Sequence, residues 1–149
     1  CLEKQLGQIS SIKPEVVYGS DGKSRIDLLL EPENSNLDIR KIYVEVKNTT
    51  WSENSVALFP DTVTTRGQKH LREMMSVCPA SRAVLIPCIS RSDMKTFAPA
   101  DSADPLYGQL FREALSKGVE VIPCSFGFFH DHISWEGVKP FRNFQENLE

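Results

Sequence analysis

Asp27, Glu45 and Lys47 stand inside two stretches, Arg25-Ile26-Asp27-Leu28-Leu29-Leu30 and Ile42-Tyr43-Val44-Glu45-Val46-Lys47, that otherwise read as buried β-strands. Burying a charge costs several kcal/mol unless a partner or a metal offsets it. A period of two sends Glu45 and Lys47 to one face, away from Ile42, Val44 and Val46, and sends Asp27 away from Ile26, Leu28 and Leu30. Two acids and a lysine on neighbouring strands form a seat for a divalent cation and a water. Hard cations take oxygen ligands, which Asp27, Glu45 and the backbone carbonyl of Val46 can supply to Mg²⁺ or Mn²⁺. A cation so held neutralises charge on phosphoryl oxygens during phosphodiester hydrolysis. Lys47 takes an electrostatic role, because an ammonium beside two carboxylates stays charged until metal binds. On local sequence alone a plainer reading stays open. Glu45 and Lys47 would form an ion pair on a solvated face, and Asp27 would be satisfied by Arg25 or a backbone amide.

The elements that must position these residues follow from pattern. The polar segment from Glu31 to Asp38 reads as a loop, so the two acid-bearing strands pair antiparallel. Asp61 then caps a helix over about 63–77 whose buried stripe is Leu71, Met74, Met75 and Cys78. Gln68 falls on the edge of that stripe, where its amide would face the sheet near the acids; Arg66 and Lys69 lie on the far side and Arg72 flanks. Gly67, costly inside a helix, predicts a close approach to the backbone. A strand over 82–86 and an irregular stretch around Phe97-Ala98-Pro99 come next. The following helix, 105–116, is opened by Asp104 and Pro105, buries Leu106, Leu110 and Ala114, and stops at Gly118. A strand over 119–122 follows, and 126–144 reads as short strands turning at Gly137. The tripeptide Ile-Pro-Cys occurs at 86–88 and 122–124, each copy closing a strand. The succession predicts an α/β domain with a mixed central sheet flanked by helices. His130 and His132 share a strand face, but no third and fourth zinc ligand is evident, and Trp51, Phe126, Phe128, Phe129 and Trp135 read as core and sheet covering rather than a base-stacking platform.

Composition sets bounds on partners. With 149 residues, 40% of them apolar and 25% charged, the chain has the size and make-up of one globular domain without a membrane span. A formal net charge of −3 argues against binding nucleic acid through overall charge, so affinity would come from a local basic patch, bound cations or segments outside this chain. The four cysteines lack Cys-x-x-Cys spacing, and Cys78, Cys88 and Cys124 lie in apolar runs, which predicts reduced thiols and a cytoplasmic protein, an organelle remaining open. The chain starts at Cys1 and Leu2 to Leu6 read as the tail of a helix, the expectation for a fragment of a longer protein.

The pattern Arg25-Ile26-Asp27, Tyr43-Val44-Glu45-Val46-Lys47, Phe59-Pro60-Asp61 and Thr65-Arg66-Gly67-Gln68-Lys69-His70-Leu71-Arg72-Glu73 resembles the sugar fermentation stimulation protein family. The likeness runs from about Glu15 to Val77 and continues more weakly to the helix at Pro105. It implies a PD-(D/E)xK, restriction-endonuclease-like domain, preceded in full-length relatives by an OB-like domain, and a DNA-binding protein with nuclease chemistry. By that resemblance Asp27 takes the first acid of the motif, with Ile26 in the proline position, and Glu45 and Lys47 take the acid and lysine of the second half. Gln68 sits on the helix that often faces the metal. Glu15 and Glu3 are the candidates for the acid that such nucleases place on a first helix. Arg25, Arg66, Lys69 and Arg72 are the expected DNA contacts, the plainer reading of Arg66, Lys69 and Arg72 being the solvated face of an amphipathic helix. A non-catalytic DNA-binding module that keeps the acids for structure is the alternative. The intact acid, acid and lysine set favours the enzyme, since a pure binding surface has no reason to place two acids where phosphate must approach.

Overall fold

The computed structural model, which describes residues 2–142, has three long antiparallel strands: β1 (Ile9–Tyr18), which no sequence alternation announces, and the expected pair β2 (Ser24–Pro32) and β3 (Ile42–Thr49). The loop from Glu31 onward links β2 to β3 antiparallel, as expected. The chain then forms β4 (Ser52–Glu53), β5 (Val56–Phe59), α2 (Thr65–Val77), β6 (Arg82–Ile89), β7 (Thr96–Pro99) and α3 (Pro105–Ser116). It ends its described course with β8 (Glu120–Val121), β9 (Cys124–Phe128) and β10 (Ile133–Val138), and a short α1 (Glu3–Leu6) precedes β1. The main sheet has the order β1-β2-β3-β6-β9-β10, with β8 also on β6. Its first three strands are antiparallel, β6 is parallel to β3, β8 and β9, and β10 returns antiparallel along the edge. A smaller sheet, β4-β5-β7, lies beside it. This is the mixed α/β architecture predicted.

The parallel register β3 to β6 pairs Tyr43 with Ala83, Glu45 with Leu85 and Lys47 with Pro87. Ala83 and Leu85 pack into one core with Leu71 and Met74 of α2 and Tyr107 and Phe111 of α3. Glu45 and Lys47 thus face the two long helices. Ile42, Val44 and Val84 face the other way, into a second core with Ile122, Cys124 and Leu6 of α1. Helices therefore cover both faces of the sheet.

Several local expectations shift. Helix α2 begins at Thr65 and its cap is Thr64, whose Oγ1 accepts from Gly67 N–H at 3.0 Å; Asp61 stands outside the helix, exposed. A close approach at Gly67 is real, since a Cβ there would meet Thr64 Cγ2 at 2.7 Å. In α3 the bounds and the Asp104 cap match, but Leu106 is exposed and Tyr107 and Phe111 are buried with Leu110 and Ala114. Phe97-Ala98-Pro99 is strand β7, parallel to β5, with Phe97 fully buried. Pro87 lies inside β6 rather than at its end. Leu85 accepts from Ile122 N–H on the β8 side, and alternation points the nitrogen of Pro87 the same way, into the gap between the β8 and β9 pairings where no ladder bond is lost. Gly137 sits at a bulge in β10, and the turn is made by 129–132. Phe126 packs edge-on against Trp135, but Phe128 and Phe129 are exposed, because they end a hairpin at the sheet edge. Phe144 lies outside the described residues. Among the described residues no helix is long and apolar enough to cross a membrane.

Candidate active site

The site forms where the β2–β3 ladder stops. Pairing runs Leu30 with Ile42, Leu29 with Tyr43 and Leu28 with Val44; the next pair in register is Asp27 with Glu45. There the strands part and a side chain takes over: Asp27 Oδ2 accepts from the Val46 N–H at 2.6 Å. An extended residue directs its N–H and C=O from the same edge, so the Val46 carbonyl also faces this opening.

Glu45 is 2% exposed, and Oε1 carries its protein contacts. Lys47 Nζ donates to Oε1 at 2.6 Å, His70 Nδ1 lies 2.5 Å from the same oxygen, and Nζ and Nδ1 are 3.0 Å apart. Glu45 Oε2 is buried and has no hydrogen-bond partner among the described residues. Burial pushes the Glu45 carboxyl up, and the His70 contact and the Lys47 ammonium outweigh it, leaving the group below its ordinary range. Glu45 is therefore a charged carboxylate, its charge balanced at one oxygen and open at the other.

Helix α2 supplies the opposite wall. His70 and Glu73, three residues apart, project from the buried side of the helix beside Leu71 and Met74. Glu73 Oε1 accepts from Ser24 Oγ at 2.7 Å and lies 3.6 Å from Lys69 Nζ, while its Oε2 has no partner among the described residues. Gly19, at φ +88°, gives this carboxylate room, since a Cβ there would stand 2.7 Å from Oε1. The Tyr18 hydroxyl is also buried without a partner among the described residues, and burial followed by the charges of Glu45, Glu73 and Asp27 pushes it well above the usual phenol range. His70 and Glu73 were not picked out as site residues from sequence. Their signal was available, as two polar residues flanking Leu71 and Met74 on a buried stripe.

The other expected residues divide. Gln68 is buried but takes no part in the acid cluster: its amide donates to both carboxylate oxygens of Asp104 at 3.1 and 2.9 Å, because the caps of α2 and α3 meet there. Glu15, opposite Asp27 in the β1–β2 register, is exposed at φ 54°, and its carboxylate makes no hydrogen bond or ion pair among the described residues. Glu3 is on α1, which buries Leu6 at the sheet face opposite Glu45. Arg25, Arg66, Lys69 and Arg72 are exposed; Arg25 donates to the Glu15 carbonyl at 3.4 Å and Lys69 to Asp21 at 3.2 Å. His130 and His132 are exposed in the β9–β10 turn, with the His132 ring stacked on Phe129. Among the described residues no three His, Cys, Asp or Glu side chains are grouped to hold a metal, at that turn or at the acids. Asp27 and Glu45 stand opposite each other in register without a third such side chain grouped with them among the described residues. A buried oxygen without a protein partner, such as Glu45 Oε2, is of the chemistry a hard cation takes.

Comparison with known proteins bears on family and fold. The family profile described as "Sugar fermentation stimulation protein RE domain" matches residues 1–132. The chain is 75% identical over 149 residues to the sugar fermentation stimulation protein homolog of Prochlorococcus marinus (strain NATL2A), covering 100% of this chain and 58% of that protein. It is 66% identical over 140 residues to the homolog of Synechococcus sp. (strain WH7803), covering 94% of this chain and 55% of the relative. Pyrococcus furiosus SfsA, solved in complex with Ca²⁺, aligns with a TM-score of 0.84 at 27% identity, over 95% of this chain and 58% of that one. The chain thus spans little more than half the length of the relatives it matches. Its fold is the nuclease-like one of that structure. On the extent of the profile match and the identity to these proteins, the chain belongs to the sugar fermentation stimulation protein family.

Proposed function

We propose that this domain is a DNA nuclease dependent on Mg²⁺ or Mn²⁺. The observation that carries the reading is Glu45, buried beside Asp27, with Oε1 held by Lys47 and His70 and Oε2 left without a protein partner. A buried, charged carboxylate with one oxygen unpartnered, opposite Asp27 in register, leaves room for a ligand. Asp27, Glu45 and the Val46 carbonyl would hold the cation, which when bound supplies charge neutralisation at the scissile phosphate and a more acidic water. The calcium in the P. furiosus relative supports a divalent ion in this family.

Each residue then has a task. Asp27 binds through the oxygen not committed to Val46 and, by holding that N–H, keeps the strands parted. Lys47 contributes a positive charge next to the reacting phosphate. Arg25, Arg66, Lys69 and Arg72 give the DNA backbone an exposed basic surface that the net charge of −3 conceals. Gln68 ties the helices together at Asp104, and Glu15 stays outside the cation shell. The reading places the protein in the cytoplasm, in keeping with the free thiols of Cys78, Cys88 and Cys124.

The test is cleavage of plasmid and single-stranded DNA with Mg²⁺ or Mn²⁺, by wild type, Asp27→Ala and Lys47→Ala. Both variants are expected to lose activity by at least about a hundredfold, the scale of a removed electrostatic contact to a transition state. Equal cleavage by all three would show a contaminant and end the nuclease reading. DNA retention across a salt series would then decide for the non-catalytic binding module.

A further inference from the structure

Resting on the nuclease reading, we propose that His70 is a positioning residue that divides the two oxygens of Glu45, assigning Oε1 to the protein and Oε2 to the divalent cation. Three atoms make the case: Glu45 Oε1 lies 2.6 Å from Lys47 Nζ and 2.5 Å from His70 Nδ1, and those two nitrogens are 3.0 Å apart. Both nitrogens converge on one oxygen. Oε2, equally buried, is left open.

A lysine alone does not produce that asymmetry. Its ammonium is a compact charge on a flexible stem with three donors, free to sit between two carboxylate oxygens. The imidazole is not free to move. His70 is 5% exposed, on a helix whose first turn is fixed by Thr64 and tied through Gln68 to Asp104. The ring therefore sets where both Oε1 and the ammonium lie. With a proton on Nδ1, the ring donates to Oε1 and offers Lys47 no acceptor. His70 can then keep Oε1 when Lys47 turns from Glu45 towards a phosphate, so that the glutamate stays in place during the exchange.

The role has a readout apart from activity. Mn²⁺ affinity by titration calorimetry, melting temperature and steady-state cleavage would be measured on the full chain for wild type, His70→Ala, His70→Asn and His70→Gln. His70→Ala is expected to weaken Mn²⁺ binding roughly tenfold to a hundredfold, as loss of a group orienting a metal ligand does, and to lower kcat with little change in KM for DNA. Asn brings an amide donor close to the Nδ1 position and should recover most of the affinity; Gln, reaching further, should not. Folded His70→Ala that binds Mn²⁺ as tightly as wild type would overturn the assignment, as would equal affinities for the Asn and Gln variants. If His70→Ala does not fold, the Asn and Gln comparison alone decides. Wild type that binds Mn²⁺ without cutting DNA would remove the nuclease reading and leave His70 to be judged on affinity; wild type that binds no Mn²⁺ would remove both.

Discussion

Glu73 reaches its buried place only because residue 19 has no side chain. Gly19 combines φ +88° with a position 2.7 Å, measured from an added Cβ, from Glu73 Oε1. Gly19→Ala would meet both the left-handed penalty and a carboxylate already bonded to Ser24. We expect a loss of about 2 kcal/mol, read as a lower urea midpoint at unchanged slope, with Ser24→Ala costing less. At this scale the sequence was readable where alternation was strict: Asp27, Glu45 and Lys47 announce themselves as charges in apolar strands. Gln68 turns its amide to Asp104 and His70 meets Glu45, a division that the helical period does not reveal. Both flank the same helical stripe, and which of them meets the acids depends on Asp104, a partner 36 residues from Gln68 that no local pattern reveals.

Asp104 also governs the helices as elements. It accepts from Tyr107 N–H at 3.0 Å to cap α3, from Thr64 N–H at 2.9 Å, and from the Gln68 amide, so one carboxylate fixes the start of both helices. Burial pushes this acid up, but the Thr64 and Tyr107 amides and Gln68 outweigh it, and its pKa lies below the ordinary value. A carboxyl lowered in the folded state contributes stability that is complete above its unfolded pKa, near 3.9, and is lost as pH falls through the lower folded value. Asp104→Ala should therefore cost about 2–4 kcal/mol at neutral pH, from a lost cap and buried donors left unpaired. The cost should shrink in acid unfolding titrations below about pH 4. The bounds of α3 were legible because Asp104-Pro105 and Gly118 are strong punctuation. Strands β4, β5 and β7, of two to four residues each, were missed because so few positions carry no usable period.

The whole molecule consists of an antiparallel arm, β1 and β2, set against the half that holds β3, β6 and both long helices. That the sheet would be mixed was legible from the order of elements. That Phe128 and Phe129 would be exposed was not, since a strand's place at an edge is decided by the strands around it. At the seam between arm and body, beyond the core that Leu28 and Leu30 share with Ile42, Val44 and Val84, β2 meets β3 in three ladder pairs and is then held by side chains: Asp27 on the Val46 amide and Ser24 on Glu73. A cation gripped by Asp27 from the arm and Glu45 from the body would rivet that seam. Saturating Mn²⁺, at about a hundred times its dissociation constant, should then raise the melting temperature by roughly 5–10 °C. The rise should vanish in Asp27→Ala and reverse with a chelator. An unchanged melting curve would mean that the ion does not join the two halves. If the rise is seen, occupancy of the proposed site and the pairing of β2 with β3 are linked, and each would report on the other.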